Sequence, residues 1–305
     1  MISEAKKKDL EKQGYRIVGN HSAIKLCLWC KKAIRNEDTC YKNTFYGIKS
    51  HRCIQMTPSL QTCSHRCYFC WRDIDWTKAK WEGPVDSPEE IVDGCIREHI
   101  KYIQGFKGTM DTTDAKKFKE ALEPLHFAIS LSGEPCSYPE LPKLIDEIKR
   151  RKMTAFLVTN GTIPDMIKKL AKKHEPTQLY ITLPAPDEKT YKKVCSPMIR
   201  DGWLRIMESL ASLKDFECNT VIRLTLVKGI NMFNPAGYAA IIKKYQPVYV
   251  EAKAYVWVGH SRERLGIESM PQHQEIKSFA EDLSELSDYK IVNEKKESRV
   301  LLLKR

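Results

Sequence analysis

No uncharged apolar run in this 305-residue chain approaches the roughly 18–20 residues needed to cross a bilayer. The opening Met1-Ile-Ser-Glu-Ala-Lys-Lys-Lys has no apolar core of a secretory signal. Low-complexity linkers and internal repeats are also missing, apart from a βα alternation. These absences lead us to expect a soluble, globular, cytoplasmic chain. At this length it can form one large domain with a real core, plus appendages. A disulfide scaffold is disfavoured on the same grounds. Eleven cysteines without an export signal point instead to metal ligation in a reducing compartment.

What is present centres on Cys63-Ser-His-Arg-Cys67-Tyr-Phe-Cys70. Three thiolates at Cys-x3-Cys-x2-Cys suit three irons of a [4Fe–4S] cube and leave the fourth iron without a protein ligand. Clusters that only carry electrons usually take four cysteines. An open iron can instead bind a substrate or cofactor such as S-adenosylmethionine (SAM). The alternative reading is a zinc site completed by His65 or His51. Phe69 before the last cysteine and the strand-like runs downstream favour the cluster.

Charge is unevenly spread. Residues 1–80 hold sixteen Lys/Arg against seven Asp/Glu, so most of the net +12 lies there. A basic segment beside the cysteine loop suggests a polyanionic partner. Metal-bound thiolates would cancel part of that charge. Lys6, Lys7, Lys8 and Lys12 also fit a plain solvated helix face.

Downstream, short apolar runs alternate with helical patterns. Ser87-Pro-Glu-Glu predicts a capped helix running to about Gln104. Strands are predicted at His126–Ser132, Thr154–Thr159, Gln178–Leu183, Val221–Val227 and Val248–Val256, with helices between them. About six such units imply an α/β fold, an open, TIM-like partial (β/α)6 barrel. Gly133-Glu134, Asn160-Gly161, Thr182 and Lys228-Gly229 stand at strand ends, where parallel α/β architectures build sites. The expected organisation is a basic N-terminal segment (1–62), the barrel (63–260) and a C-terminal helix and strand extension (261–305). Residues 105–125 read as a polar insertion with a short surface helix.

The first 60 residues fall outside this alternation and carry more cysteines. Cys27, Cys40 and Cys53 have twelve residues between neighbours, and Cys30 lies outside that series. Three of them could hold a second cluster; all four could hold zinc, since Cys27-x2-Cys30 is a common zinc step. Spacing alone slightly favours zinc.

The chain resembles the archaeal tRNA 4-demethylwyosine synthases of the radical SAM superfamily. The resemblance rests on Cys40-Tyr-Lys-Asn-Thr-Phe-Tyr-Gly-Ile, His51-Arg-Cys53-Ile-Gln, the Cys63–Cys70 motif with Trp71-Arg72, Leu125-His-Phe-Ala-Ile-Ser-Leu-Ser-Gly-Glu-Pro135, Leu157-Val-Thr-Asn-Gly161 and Arg223-Leu-Thr-Leu-Val-Lys-Gly-Ile-Asn231. It covers residues 27–255. It implies an enzyme with two [4Fe–4S] clusters that acts on N1-methylguanosine next to the anticodon of tRNA(Phe). Cys63, Cys67 and Cys70 would hold the SAM-binding cluster, and Cys27, Cys40 and Cys53 the second. Cys30 departs from the family series and has no assigned role.

The implied chemistry begins with reductive cleavage of SAM to a 5′-deoxyadenosyl radical. That radical takes a hydrogen from the N1-methyl group. The carbon radical adds to pyruvate, which loses its carboxyl carbon, and the two remaining carbons close a third ring. Gly133 and Glu134 would contact the SAM amino group; Asn160, Thr182 and Arg223 would serve its ribose and carboxylate. Lys42 is the candidate to hold pyruvate as a Schiff base, with chelation by the second cluster as the rival mechanism. Without a flavodoxin-like domain, the electron would come from a separate flavodoxin- or ferredoxin-type protein. Competing readings are a radical SAM enzyme acting on a peptide and a non-catalytic zinc-containing RNA-binding protein.

Overall fold

Parallel pairing starts earlier than the sequence pattern suggested. In the computed structural model, which describes residues 2–305, the first parallel strand lies within the segment read as outside the βα series. The chain separates into two compact units, residues 1–62 with 81–158 and residues 63–80 with 159–305.

In the first unit, β1 (Tyr15–Val18) and β2 (Ser22–Lys25) form an antiparallel hairpin, and β2 pairs antiparallel with β3 (Cys53–Thr57). Strand β3 then runs parallel to β4 (His126–Ile129), and β4 parallel to β5 (Thr154–Thr159), with Cys53 opposite His126 and His126 opposite Thr154. The run Cys-Ile-Gln-Met-Thr is short and mixed in polarity, so its pairing was hidden. The helix Pro88–Gln104 forms as predicted. The Ser87 hydroxyl accepts from the Glu90 amide, the Glu90 carboxylate accepts from the Ser87 amide, and proline fills the first turn. Residues 105–125 are not a mere surface insertion. They fold as a 3-10 segment, Gly105–Thr112, and a helix, Ala115–Ala121. Phe106 and Phe118 from these pieces pack with Cys30, Ile34, Ile103 and Ala121 in an apolar cluster.

In the second unit, β6 (Gln178–Thr182), β7 (Asn219–Leu226) and β8 (Tyr249–Ala254) are parallel neighbours. The strands of the C-terminal extension form an antiparallel hairpin, β9 (Lys290–Lys295) and β10 (Val300–Lys304). Strand β10 pairs antiparallel with β8, which is why Val300, Leu301, Leu302 and Leu303 are buried. The helix His273–Leu286 buries Ile276, Phe279, Ala280 and Leu283. Among the described residues no helix is long and apolar enough to cross a membrane.

One buried histidine gives the first unit a pH dependence. His99 on the Pro88–Gln104 helix is 2% exposed and donates from Nε2 to the Ala121 carbonyl at 3.2 Å. Burial lowers its pKa to about 4. The folded state therefore holds it neutral, whereas the unfolded chain protonates it below about 6.5. Stability from this group is complete above about pH 6.5 and is lost as pH falls towards 4. The expected loss is about 2–3 kcal/mol. Urea unfolding of cluster-free protein at pH 7 and pH 4.5 should show it, and His99→Gln should reduce the difference, with His126, also lowered to about 4 by burial, accounting for part of the remainder.

Candidate active site

Cys63, Cys67 and Cys70 sit on an irregular loop whose backbone is tied down at most steps. The Cys63 amide donates to Lys78 O at 2.9 Å, Arg66 to Cys195 O at 2.9 Å, Tyr68 to Val194 O at 3.0 Å and Cys70 to Cys67 O at 3.0 Å. The Arg264 guanidinium donates to the carbonyls of Tyr68 and Cys70. These backbone bonds set the shape of the loop. No disulfide links the chain's cysteines. Three partly buried thiols on one preshaped loop, without a fourth cysteine in the loop, match the donor set of a cube with one open iron.

Of the strand-end residues of this unit, Asn160 meets that loop, whereas Thr182 and Arg223 lie on adjacent strands of the sheet. Asn160 Nδ2 lies 3.6 Å from Cys63 Sγ and 3.3 Å from Ser64 Oγ, while its Oδ1 accepts from the Thr162 amide at 2.9 Å. Asn160 is therefore wired to the cysteine loop through both ends of its amide. Thr182 stands opposite Arg223, and Arg223 opposite Glu251. Both Nε and Nη2 of Arg223 lie 3.0 Å from Glu251 Oε2, and the guanidinium sits 4.5 Å from the Tyr180 ring centroid. Glu251 is fully buried, so Arg223 is needed to neutralise it. A SAM carboxylate would have to share this arginine.

In the first unit, Gly133 has φ +70°, and a Cβ there would fall 1.9 Å from the Ser59 carbonyl oxygen. The Glu134 amide donates to Thr62 O at 2.7 Å, and its buried carboxylate accepts from the Cys136 amide at 3.0 Å. This strip presses on the segment that leads directly into Cys63. Only glycine fits both the left-handed backbone and the close approach. Gly133→Ala should lower stability by about 2–4 kcal/mol, as urea unfolding would show.

The same unit assembles the other cysteine set. Cys27 and Cys40 stand at the N-caps of the helices Leu28–Ile34 and Tyr41–Tyr46, and Cys53 opens β3. Burial raises the Cys27 thiol, opposed by the Trp29 and Cys30 amides and by Lys42. Burial pushes Cys53 up to about 12; Lys42 pulls it down, and Cys40 and Cys27 push it further up. These sulfurs and Lys42 therefore feel one another's charge. Ligation must remove their protons, so metal affinity here should rise with pH. Lys42 is 8% exposed, and its Nζ lies 5.1 Å from the Phe156 ring centroid. Cys30 is different: it is 2% exposed, packs in the Ile34–Phe118 cluster, and directs its thiol to His51 O at 3.7 Å. Burial raises its thiol well above the ordinary range, and Cys27, Cys53 and Cys40 push it further up, so it sits beside the other three sulfurs as well as in the core.

Residues 57–234 match the model of the radical SAM superfamily, and residues 244–305 match that of wyosine base formation. An S-adenosyl-L-methionine-dependent tRNA 4-demethylwyosine synthase from Pyrococcus abyssi is 50% identical over 297 residues, 96% of this chain and 86% of that protein. Its counterpart from Methanocaldococcus jannaschii is 42% identical over 312 residues, 99% of this chain and 96% of that protein.

The chain belongs to the tRNA 4-demethylwyosine synthase family of radical SAM enzymes.

Solved structures agree. A structure of TYW1 with a lysine–pyruvate adduct bound superposes with TM-score 0.89 at 41% identity, covering 100% of this chain and 96% of that one. A crystal structure of archaeal TYW1 gives 0.82 at 37% identity, covering 100% and 96%. The α/β class with a mostly parallel sheet, expected from the sequence as a partial barrel, is that of these neighbours. As a 4-demethylwyosine synthase of the radical SAM superfamily, the chain is an enzyme that uses SAM and a [4Fe–4S] cluster.

Sequence reasoning missed several residues around these synthase sites. Glu251 had a readable signal, because a carboxylate within a strand run such as Tyr-Val-Glu-Ala-Lys-Ala requires a buried partner. Cys195 and Tyr191, which border the cysteine loop, had none. Only the tertiary fold brings them there.

Proposed function

We propose that this chain converts N1-methylguanosine next to the anticodon of tRNA(Phe) into 4-demethylwyosine, with pyruvate as two-carbon donor, in the cytoplasm. The observation that carries the reading is Lys42, a buried lysine whose amine lies beside Phe156 and within electrostatic reach of Cys27 and Cys53. A related structure, 41% identical, is described as holding a lysine–pyruvate adduct. The peptide-modifying and non-catalytic zinc readings have no comparable support.

In this reading Cys63, Cys67 and Cys70 hold the SAM-binding cluster, and Cys27, Cys40 and Cys53 hold a second one. Held by those residues, the first cluster would relay one electron to SAM for its reductive cleavage to methionine and a 5′-deoxyadenosyl radical. Gly133 and Glu134 orient the SAM amino group. Asn160, Thr182 and Arg223 position its ribose and carboxylate. The Lys42 amine attacks the ketone carbon of pyruvate and expels water, forming an imine that fixes the two-carbon unit for addition. The basic residues of segment 1–62 contact tRNA phosphates, and an external flavodoxin- or ferredoxin-type protein supplies the electron.

The test is anaerobic reconstitution followed by nucleoside mass spectrometry on methylated tRNA with SAM, pyruvate and a reductant. A nucleoside carrying two additional carbons, present only with pyruvate, supports the proposal. Unchanged N1-methylguanosine under conditions that cleave SAM overturns it.

A further inference from the structure

His65 and Cys195 take no part in the reaction above, yet both contact a sulfur that it uses. One imidazole nitrogen of His65 and the Sγ atoms of Cys67 and Cys195 all lie within 4.8 Å of one another, a grouping found among the described residues. The fold creates this meeting. Residues 64–68 lie antiparallel to 194–198, through Arg66 N–H to Cys195 O, Tyr68 N–H to Val194 O and Met198 N–H to Ser64 O, with a bridge between His65 and Pro197. Cys195 is the last residue of the helix Glu188–Cys195, and the left-handed Ser196 turns the chain there. His65 and Cys195 are 4% and 1% exposed. Tyr191, one turn earlier on that helix, sets its hydroxyl 2.8 Å from His65 Nε2 and so fixes the ring.

The donor set has a definite preference. Two thiolates and a neutral imidazole suit a borderline-soft, tetrahedral cation and fit hard cations poorly. Zinc–sulfur bonds of about 2.3 Å and zinc–nitrogen bonds of about 2.0–2.1 Å place neighbouring donors about 3.5–3.8 Å apart. The three donors already lie within 4.8 Å of one another, so a modest contraction would reach that spacing, and the Tyr191 hydroxyl supports the imidazole. A four-iron cube spreads its cysteines wider than one ion does. Cys67 therefore cannot serve both arrangements at once.

We propose that His65, Cys67 and Cys195 form a zinc site in the cluster-free protein, which excludes the SAM-binding cluster because both claim Cys67. The exclusivity rests on the assignment of Cys67 to that cluster; the zinc site itself does not. Its consequence is a checkpoint on loading. Zinc captured here holds the loop against 194–198 until it is removed, and only then does the cube assemble.

The experiment uses reduced full-length chain, titrated anaerobically with Co²⁺ and then Zn²⁺. A Cys63→Ala/Cys70→Ala variant keeps the proposed site and removes the cluster motif. It should show sulfur-to-cobalt charge-transfer absorption that zinc abolishes, of which Cys195→Ala should remove the share not owed to Cys27, Cys30, Cys40 and Cys53. Adding Cys195→Ala should weaken that zinc binding by at least about 100-fold, since losing even an outer-shell partner costs 10–100-fold. His65→Gln should weaken it in the same direction. In the otherwise native chain, prior zinc should slow cluster assembly, and Cys195→Ala should relieve that inhibition. The single variant should still give the paramagnetic resonance signal of the reduced SAM-binding cluster, which also shows that the loop folds. Equal zinc affinity with and without Cys195, or loss of cluster assembly in Cys195→Ala, overturns the proposal. A native chain that never assembles a cluster at Cys63–Cys70 would instead sink the proposed reaction, and the zinc titration would still report on this site.

Discussion

Replacing Lys42 by arginine should reduce product formation by roughly 10³-fold or more, while SAM cleavage continues without coupling to tRNA. Arginine keeps a positive charge but does not form an imine under these conditions. Lys42 is buried beside Phe156, so solvent cannot substitute for its amine. Borohydride with labelled pyruvate should trap an adduct on the peptide containing Lys42. Iron content should stay at the native level, which separates loss of the amine from loss of a cluster. The rival mechanism predicts otherwise. If the second cluster chelates pyruvate, the arginine variant keeps substantial activity, no adduct is trapped, and pyruvate perturbs the resonance of the Cys27/Cys40/Cys53 cluster.

Metal content supplies the second large effect. Anaerobically prepared protein should carry about eight irons per chain, because each three-cysteine set holds a four-iron cube. Alanine at Cys63, Cys67 and Cys70 should leave about four irons and abolish SAM cleavage. Alanine at Cys27, Cys40 and Cys53 should also leave about four irons, with SAM cleavage retained and product lost. The raised Cys27 and Cys53 thiols give a further signature, since deprotonation precedes ligation. Loading of that set should be favoured as pH rises. Iron analysis showing stoichiometric zinc on the N-terminal cysteines and never more than one cluster would refute the second-cluster assignment.

The sequence made the strands β4 to β8 legible because each carries a β-prone run bounded by turn residues, apolar in β4 to β6 and interrupted by Arg223 in β7 and by Glu251 and Lys253 in β8. The Pro88–Gln104 helix was legible from its serine cap and proline alone. The strand β3 was not, because Gln55 interrupts a five-residue run and its pairing partner His126 is remote. The β1–β2 hairpin carried a usable sign, Gly19-Asn20 between two short runs, with Gly19 at φ +60°. The site divides along the same line. Cysteines announce themselves by spacing, whereas Arg223 looked like a ligand donor until its buried partner Glu251 was seen. Cys30 lies deeper than its neighbours, at 2% exposure among Ile34, Ile103 and Phe118, yet stays within electrostatic reach of Cys27, Cys40 and Cys53.

The division of the chain into interleaved segments has a consequence for synthesis. Residues 63–80 belong to the unit completed by 159–305, and His65 meets Tyr191 across 126 positions. At about 5–20 residues per second, that partner emerges roughly 6–25 s after the cysteine loop does. During this interval Cys63, Cys67 and Cys70 leave the ribosome with no framework to shape them. Their thiols are then open to any oxidant or stray ion present. The order of translation, as much as affinity, decides what first reaches these cysteines.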